Sequence, residues 1–156
     1  MKVHVTRRGR LWLPSFGQDM ASGAAIYSKV GLRLVVPGHD PVRLTAGMYY
    51  RGEDPYAIRM AFDTGLDGAV EWMFARDLLA EGLNHRAGDG DVRLWPGTNG
   101  SKDVLNIALS SPHGHAHFQA PLAAVTGFLQ RTLQIVPSGH ESEHTDIEAA
   151  LNSLLH

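Results

Sequence analysis

The chain has 156 residues, 44% of them hydrophobic and 19% charged, which is the balance of one globular domain and excludes a disordered or fibrous segment. It contains no cysteine, so disulfides, thiolate catalysis and cysteine-ligated zinc or iron–sulfur centres are excluded. The net charge of −2 is unevenly spread: Lys2, Arg7, Arg8 and Arg10 face Asp19 alone in the first nineteen residues, while the other 137 carry ten cations against fifteen carboxylates. A domain of that sign lacks the basic footprint that phosphate-backbone binding needs.

Residues 1–19 alternate Val3 and Val5, then run through Arg7–Arg10 to Pro14 and Gly17, and they fit none of the patterns that follow. They are expected to be a basic N-terminal extension outside the core, with residues 20–156 as the domain and Met20 as its natural start. A role for the arm at a membrane or a nucleic acid is the weaker alternative, since it has only four cations. Leu11–Pro14 is too short for a secretory apolar region, and no stretch approaches the ~18 apolar residues of a membrane span.

A strand is predicted at about 27–36, closed by the turn chemistry of Pro37-Gly38-His39-Asp40-Pro41, and a second at 42–50. The clearest strand runs from Tyr56 to Asp63: Tyr56, Ile58, Met60 and Phe62 fall on one face, and Ala57, Arg59 and Ala61 on the other. Thr64–Gly68 closes a hairpin to a strand at 70–74, where Trp72 and Phe74 point inward and Glu71 outward. At Ala75 the period changes from two to helical. Leu78, Leu79 and Leu83 group on one side, Arg76, Asp77 and Glu81 on the other, and Gly82 reads as a left-handed helix end.

Three further strands are predicted around 91–95, 104–109 and Ala116–Phe118, then a helix with Pro121 in its first turn and Leu122, Val125, Phe128, Leu129 and Leu133 as its apolar stripe. A final helix is expected from Thr145, whose hydroxyl and Glu148 form a capping box. The order, ββββα-βββα-α, defines an antiparallel α+β fold.

Four motifs in register carry a resemblance. Arg76-Asp77-Leu78-Leu79-Ala80-Glu81-Gly82-Leu83 is preceded by Asp54-Pro55-Tyr56 and followed by Gly88-Asp89-Gly90-Asp91-Val92 and Leu109-Ser110-Ser111-Pro112. Over about 27–155 the chain resembles the SsgA-like family of sporulation and cell-division regulators of sporulating actinobacteria. The resemblance implies a whirly-like arrangement of curved antiparallel sheets and helices, and a symmetric homo-oligomer, with a trimer favoured. It implies a non-enzymatic adaptor in the cytoplasm at the division septum, selecting septum sites by recruiting the tubulin-like protein FtsZ and meeting other SsgA-like proteins. No cofactor, metal or catalytic residue is expected. Arg76, Asp77 and Glu81, outward by spacing and matching the family motif, are the expected partner surface. The alternative is a single-stranded nucleic-acid-binding protein of whirly-like fold, disfavoured by the acidic domain.

Other strings read more plainly. His140-Glu141-Ser142-Glu143-His144 satisfies H-E-x-x-H, but a zinc peptidase needs both histidines one turn apart on a rigid helix, and here Gly139 precedes the string and a predicted cap follows it. An exposed connection is the better reading. His115 and His117 are expected on one strand face near His113, as a solvated face in preference to a metal site. Glu71, Asp77 and Glu81 are expected in water rather than in acid–base work. Trp72 and Trp95 are expected as core or subunit contacts.

Overall fold

A computed structural model describes residues 5–7, 24–63, 69–143 and 154. Eight strands form one antiparallel sheet: β1 (Val5–Arg7), β2 (Ala25–Leu34), β3 (Val42–Arg51), β4 (Asp54–Asp63), β5 (Ala69–Ala75), β6 (Val92–Asn99), β7 (Lys102–Ser111) and β8 (Gly114–Pro121). Helix α1 (Arg76–Gly82) follows β5, and α2 (Leu122–Ile135) follows β8. The strand order is β1-β5-β4-β3-β2-β8-β7-β6. The sheet is thus two meanders joined edge to edge, each leading into a helix. The α+β order read from the sequence is present, with β1 added at one edge, where Val5 pairs with Trp72 and Arg7 with Val70. The expected hairpin turn at 64–68 and the final helix from Thr145 lie outside the described residues.

The junction is narrow. β2 and β8 pair in register only at Arg33↔Gln119 and Leu34↔Phe118, extended by the Val35 amide donating to the His117 carbonyl at 2.8 Å. Side chains reinforce it from the inner face, where the rings of Phe62 on β4 and Phe118 on β8 stack with centroids 4.7 Å apart. Burying each ring contributes on the order of 2–3 kcal/mol, so this contact offsets much of what a two-pair junction lacks in hydrogen bonds.

Alternation sets the core. Val30 and Leu32, Ala46, Met48 and Tyr50, Ile58, Met60 and Phe62, Trp72 and Phe74 all turn to the face that α2 covers with Val125, Phe128 and Leu129. Tyr56 is the exception to the predicted stripe. It sits near the start of β4, before the first pair with β5 at Ala57, and is half exposed. Along β7 the expected inward set, Leu105, Ile107 and Leu109, is buried, but so are the intervening Val104, Asn106 and Ala108. That outer face is closed by polar side chains. Asn106 Oδ1 accepts from His117 Nε2 at 2.8 Å and from Gln119 Nε2 at 3.1 Å, so the amide is buried but satisfied.

Gly82 does not end α1 in the left-handed region. The described positive-φ residues are Gly38, Gly88, Gly100, Gly114 and Gly139, and α1 closes through Leu83 in a right-handed conformation. Gly82 is required by proximity, because a Cβ there would lie 2.5 Å from the Leu94 Cβ on β6. This is where α1 rests on the second meander. Gly82→Ala is therefore expected to destabilise the fold by about 1–3 kcal/mol through overpacking, read as a lower urea midpoint with an unchanged m-value. A variant as stable as the parent would show that α1 rides freely over β6.

Candidate functional site

Helix α1 opens directly on the end of β5 with no side-chain N-cap. Its first residue, Arg76, is a poor choice for that position, because a cation at a helix N-terminus opposes the macrodipole. The structure gives the reason. Arg76 is 2% exposed and points away from its own helix toward the end of α2. The expectation that Arg76 projects outward is corrected here, since helical spacing places a side chain on a face but does not show what packs against that face.

The last turn of α2 has no basic residue of its own, and beyond the Thr132 carbonyl, which accepts from the Val136 N–H, its terminal carbonyls lack intrahelical donors. Arg76 supplies both charge and protons: Nη1 donates to the Val136 carbonyl at 2.7 Å, to the Thr132 carbonyl at 3.2 Å and to the Tyr50 hydroxyl at 3.1 Å. Nη2 donates to Glu141 Oε1 at 2.6 Å, a charge-assisted bond at the short end of its range. The Arg76 guanidinium also lies 5.2 Å from the centroid of the Tyr50 ring, and the Tyr50 hydroxyl donates in turn to the Pro55 carbonyl at 3.0 Å. One side chain thus joins β3, α1, the end of α2 and the segment beyond it.

Electrostatics follow that geometry. Burial pushes the Tyr50 phenol up to about 12, opposed by the Arg76 charge and assisted by Glu141 and Asp54, so it stays a neutral donor. Burial alone would raise the Glu141 carboxyl. The hydrogen bond from Arg76, the backbone N–H groups of Glu141 and Gly139, and the Arg76 charge together outweigh it and hold the group below the usual carboxylate range. The H-E-x-x-H string also lies otherwise than its flanking residues predict. Its glutamate is not in an exposed connection but turned inward onto an arginine, while His140 stays exposed and meets Glu143 at 3.0 Å. A glutamate committed in this way is not placed to activate a metal-bound water. His144 lies outside the described residues.

Asp77 and Glu81 are exposed on α1, as spacing predicts. Glu71, expected in water, is instead 9% exposed, opposite Ala61 on β4 and next to β1 in the register. On β8, His115 and His117 do share a face, but each is engaged: His115 Nδ1 meets Ser110 Oγ at 2.9 Å, and His117 is bound to Asn106 and tilted on Trp95 with centroids 5.4 Å apart. Burial lowers the His117 pKa, keeping the ring neutral. Among the described residues, no group of three or more His, Asp and Glu is arranged to hold a metal ion. Trp72 lies in the core, and Trp95 on the outer face under the Arg86 guanidinium at 5.1 Å.

The fold and its centre define a class: an antiparallel sheet-and-helix scaffold whose most heavily engaged polar group is structural. Residues 44–141 match the family model described as Streptomyces sporulation and cell division protein, SsgA, and the chain belongs to that family. It is 50% identical over 131 residues to the sporulation-specific cell division protein SsgB of Thermobifida fusca, covering 84% of this chain and 95% of that one. It is 48% identical over 124 residues to SsgB of Streptomyces coelicolor, covering 80% and 90%. It is similar to the crystal structure of an SsgA-like sporulation-specific cell division protein from Thermobifida fusca, with a TM-score of 0.79, 49% identity and coverage of 85% and 96%. A structure from work correlating SsgB mutations with longitudinal cell division in Streptomyces coelicolor matches with a TM-score of 0.75, 46% identity and coverage of 78% and 96%.

The Arg76 centre makes two predictions. Arg76→Leu is expected to cost about 3–5 kcal/mol, because it leaves the Glu141 carboxylate buried without its cation; a loss under 1 kcal/mol by urea unfolding would contradict the assignment. Because the folded-state pKa of Glu141 is depressed, its ionised form contributes stability that is fully present above the ordinary carboxyl value of 4.5 and is lost as pH falls through the lowered folded value. The stability gap between the parent and Glu141→Gln should therefore be constant from neutral pH down to that range and close below it. A gap independent of pH would remove the ion pair from the account.

Proposed function

We propose that this protein is a non-enzymatic adaptor of sporulation-specific cell division, working in the cytoplasm at the division septum and helping to select the septum site by recruiting FtsZ. The observation that carries this reading is the 50% identity, over 84% of the chain, to a protein named for sporulation-specific cell division. The one string with an enzyme's spelling has its glutamate withdrawn into an ion pair with Arg76, which supports a scaffold rather than a catalyst. No described helix is long and apolar enough to cross a membrane, which accords with recruitment through protein contacts.

An adaptor of this kind acts by surface complementarity, and a homo-oligomer, with a trimer favoured, would present several copies of one weak contact to a polymer and gain avidity without new chemistry. Asp77 and Glu81 are the exposed charges of the family motif, held on a helix whose base is fixed by Arg76. They are the partner-contact residues in this reading, and Arg76 acts behind them by holding the helix in place. Co-sedimentation with GTP-assembled FtsZ from the same organism is expected to give a saturable pellet fraction, and D77K/E81K to reduce it by about tenfold in affinity, equivalent to ~1.4 kcal/mol. Undiminished pelleting of the folded variant would take the contact off α1, and no pelleting of the parent chain would end the FtsZ reading.

A further inference from the structure

We infer that the cleft over β2, between β3 and the β6–β7 hairpin, is a docking groove for an acidic, extended segment of a protein partner. The register places Arg33 directly opposite Arg43, and Gly31 opposite Thr45, so these four share one face of the sheet, with Gln119 beside Arg33 on β8. Like charges facing each other across a strand pair are destabilising. The sheet does nothing to relieve this pair: among the described residues no carboxylate pairs with Arg33, Arg43 or Lys102. Lys102 reaches the same cleft from the hairpin opposite. Among the described residues Asp103 is the one carboxylate in the lining, so these residues carry a surplus of two positive charges in a chain whose net charge is −2.

The cleft has the shape for chain rather than for a bare ion. It encloses about 480 Å³, and its floor is Gly31, where an added Cβ would meet nothing within 4 Å. It opens where β2 and β8 part, beyond the last register pair at Arg33↔Gln119. Along its wall Asn99 Nδ2 donates to Gln119 Oε1 at 3.4 Å, a long bond that an incoming backbone carbonyl would readily replace. Charge complementarity selects the occupant: two guanidiniums and an ammonium around an uncharged floor suit carboxylates spaced along an extended chain. A single-stranded nucleic acid would also satisfy the charges, but it draws affinity from aromatic stacking, and among the described residues no aromatic one lines the cleft. The inference extends the adaptor reading and rests on it only in taking the partner to be a protein.

The test uses the full chain and a fluorescent Asp/Glu-rich peptide, with its Asn/Gln counterpart and an oligo-dT of equal charge as comparisons, read by anisotropy. The acidic peptide is expected to bind, the neutral one not, and binding to weaken between about 50 and 300 mM salt as screening shortens. R33Q/R43Q should lose about tenfold in affinity while R33K/R43K, which keeps the charges, stays within about threefold. Because R33Q/R43Q removes a repulsive pair, its melting temperature should equal or exceed the parent's, and a lower one would show that the pair is structural and overturn the inference. Equal peptide binding by parent and R33Q/R43Q, or tighter binding of oligo-dT through the same arginines, would also overturn it. The peptide readout does not involve FtsZ. Its success with failed co-sedimentation would sink the FtsZ reading and keep the groove, and its failure with intact co-sedimentation would do the reverse.

Discussion

The guanidinium of Arg76 is the constraint on which the rest of the molecule depends. The two meanders share a two-pair strand junction and a stacked pair of phenylalanines, and are joined as well by α2 packing on the first meander's inner face and by α1 resting on Leu94 of β6. Arg76 adds a polar tie between the helices themselves, placing a cation from the first meander's helix at the carbonyl end of the second's. At that meeting point α1 begins with a cation, offset by Asp77 in the same turn, and α2 has no basic residue in its last turn. Bringing the two ends together gives the cation carbonyls to meet and gives α2 the charge it lacks. Glu141 and Tyr50 then complete the shell, so a buried charge that would be costly alone is fully engaged.

Much of the fold was legible in the chain, and the reason is local. In β4, Ile58, Met60 and Phe62 alternate with Ala57, Arg59 and Ala61, and one buried face is enough to produce that pattern. The switch to helical period at Ala75 coincides with the end of β5 and the start of α1. Reading faltered where the deciding atom lies far along the chain. Arg76 is separated by 56 to 65 residues from Thr132, Val136 and Glu141, so spacing within α1 could place its side chain only on the helix's polar side. Gly82 carried the right residue type for the wrong reason, since its neighbour Leu94 belongs to a strand that sequence places beyond a loop. Glu141 was hidden inside a motif whose spelling points to metal chemistry. The signal that could have found the centre was electrostatic: an arginine at a helix N-terminus asks for a partner elsewhere.

The family was legible from motifs in register rather than from any site. The Asp54-Pro55-Tyr56 start of β4, the α1 motif and the Leu109–Ser111 end of β7 belong to the scaffold: Pro55 accepts from Tyr50, and Arg76 holds α2. Family membership is therefore written largely in residues that build the scaffold. The residues proposed to meet partners, Asp77 and Glu81 on α1 and the arginines over Gly31, are generic in type, and only their placement distinguishes them. This accords with a protein that acts by presenting surfaces, whose specificity lies in geometry held from behind.

Amide hydrogen exchange on the parent and on Glu141→Gln tests the central claim most directly, because it reports on separate segments at once. If Arg76 couples them, protection should fall together in α1, in the last turn of α2 and at 139–143, while the strands of the first meander keep theirs. Loss confined to 139–143 would mean that Glu141 anchors only its own segment, and that the two meanders are held by the sheet junction and the apolar packing of the helices.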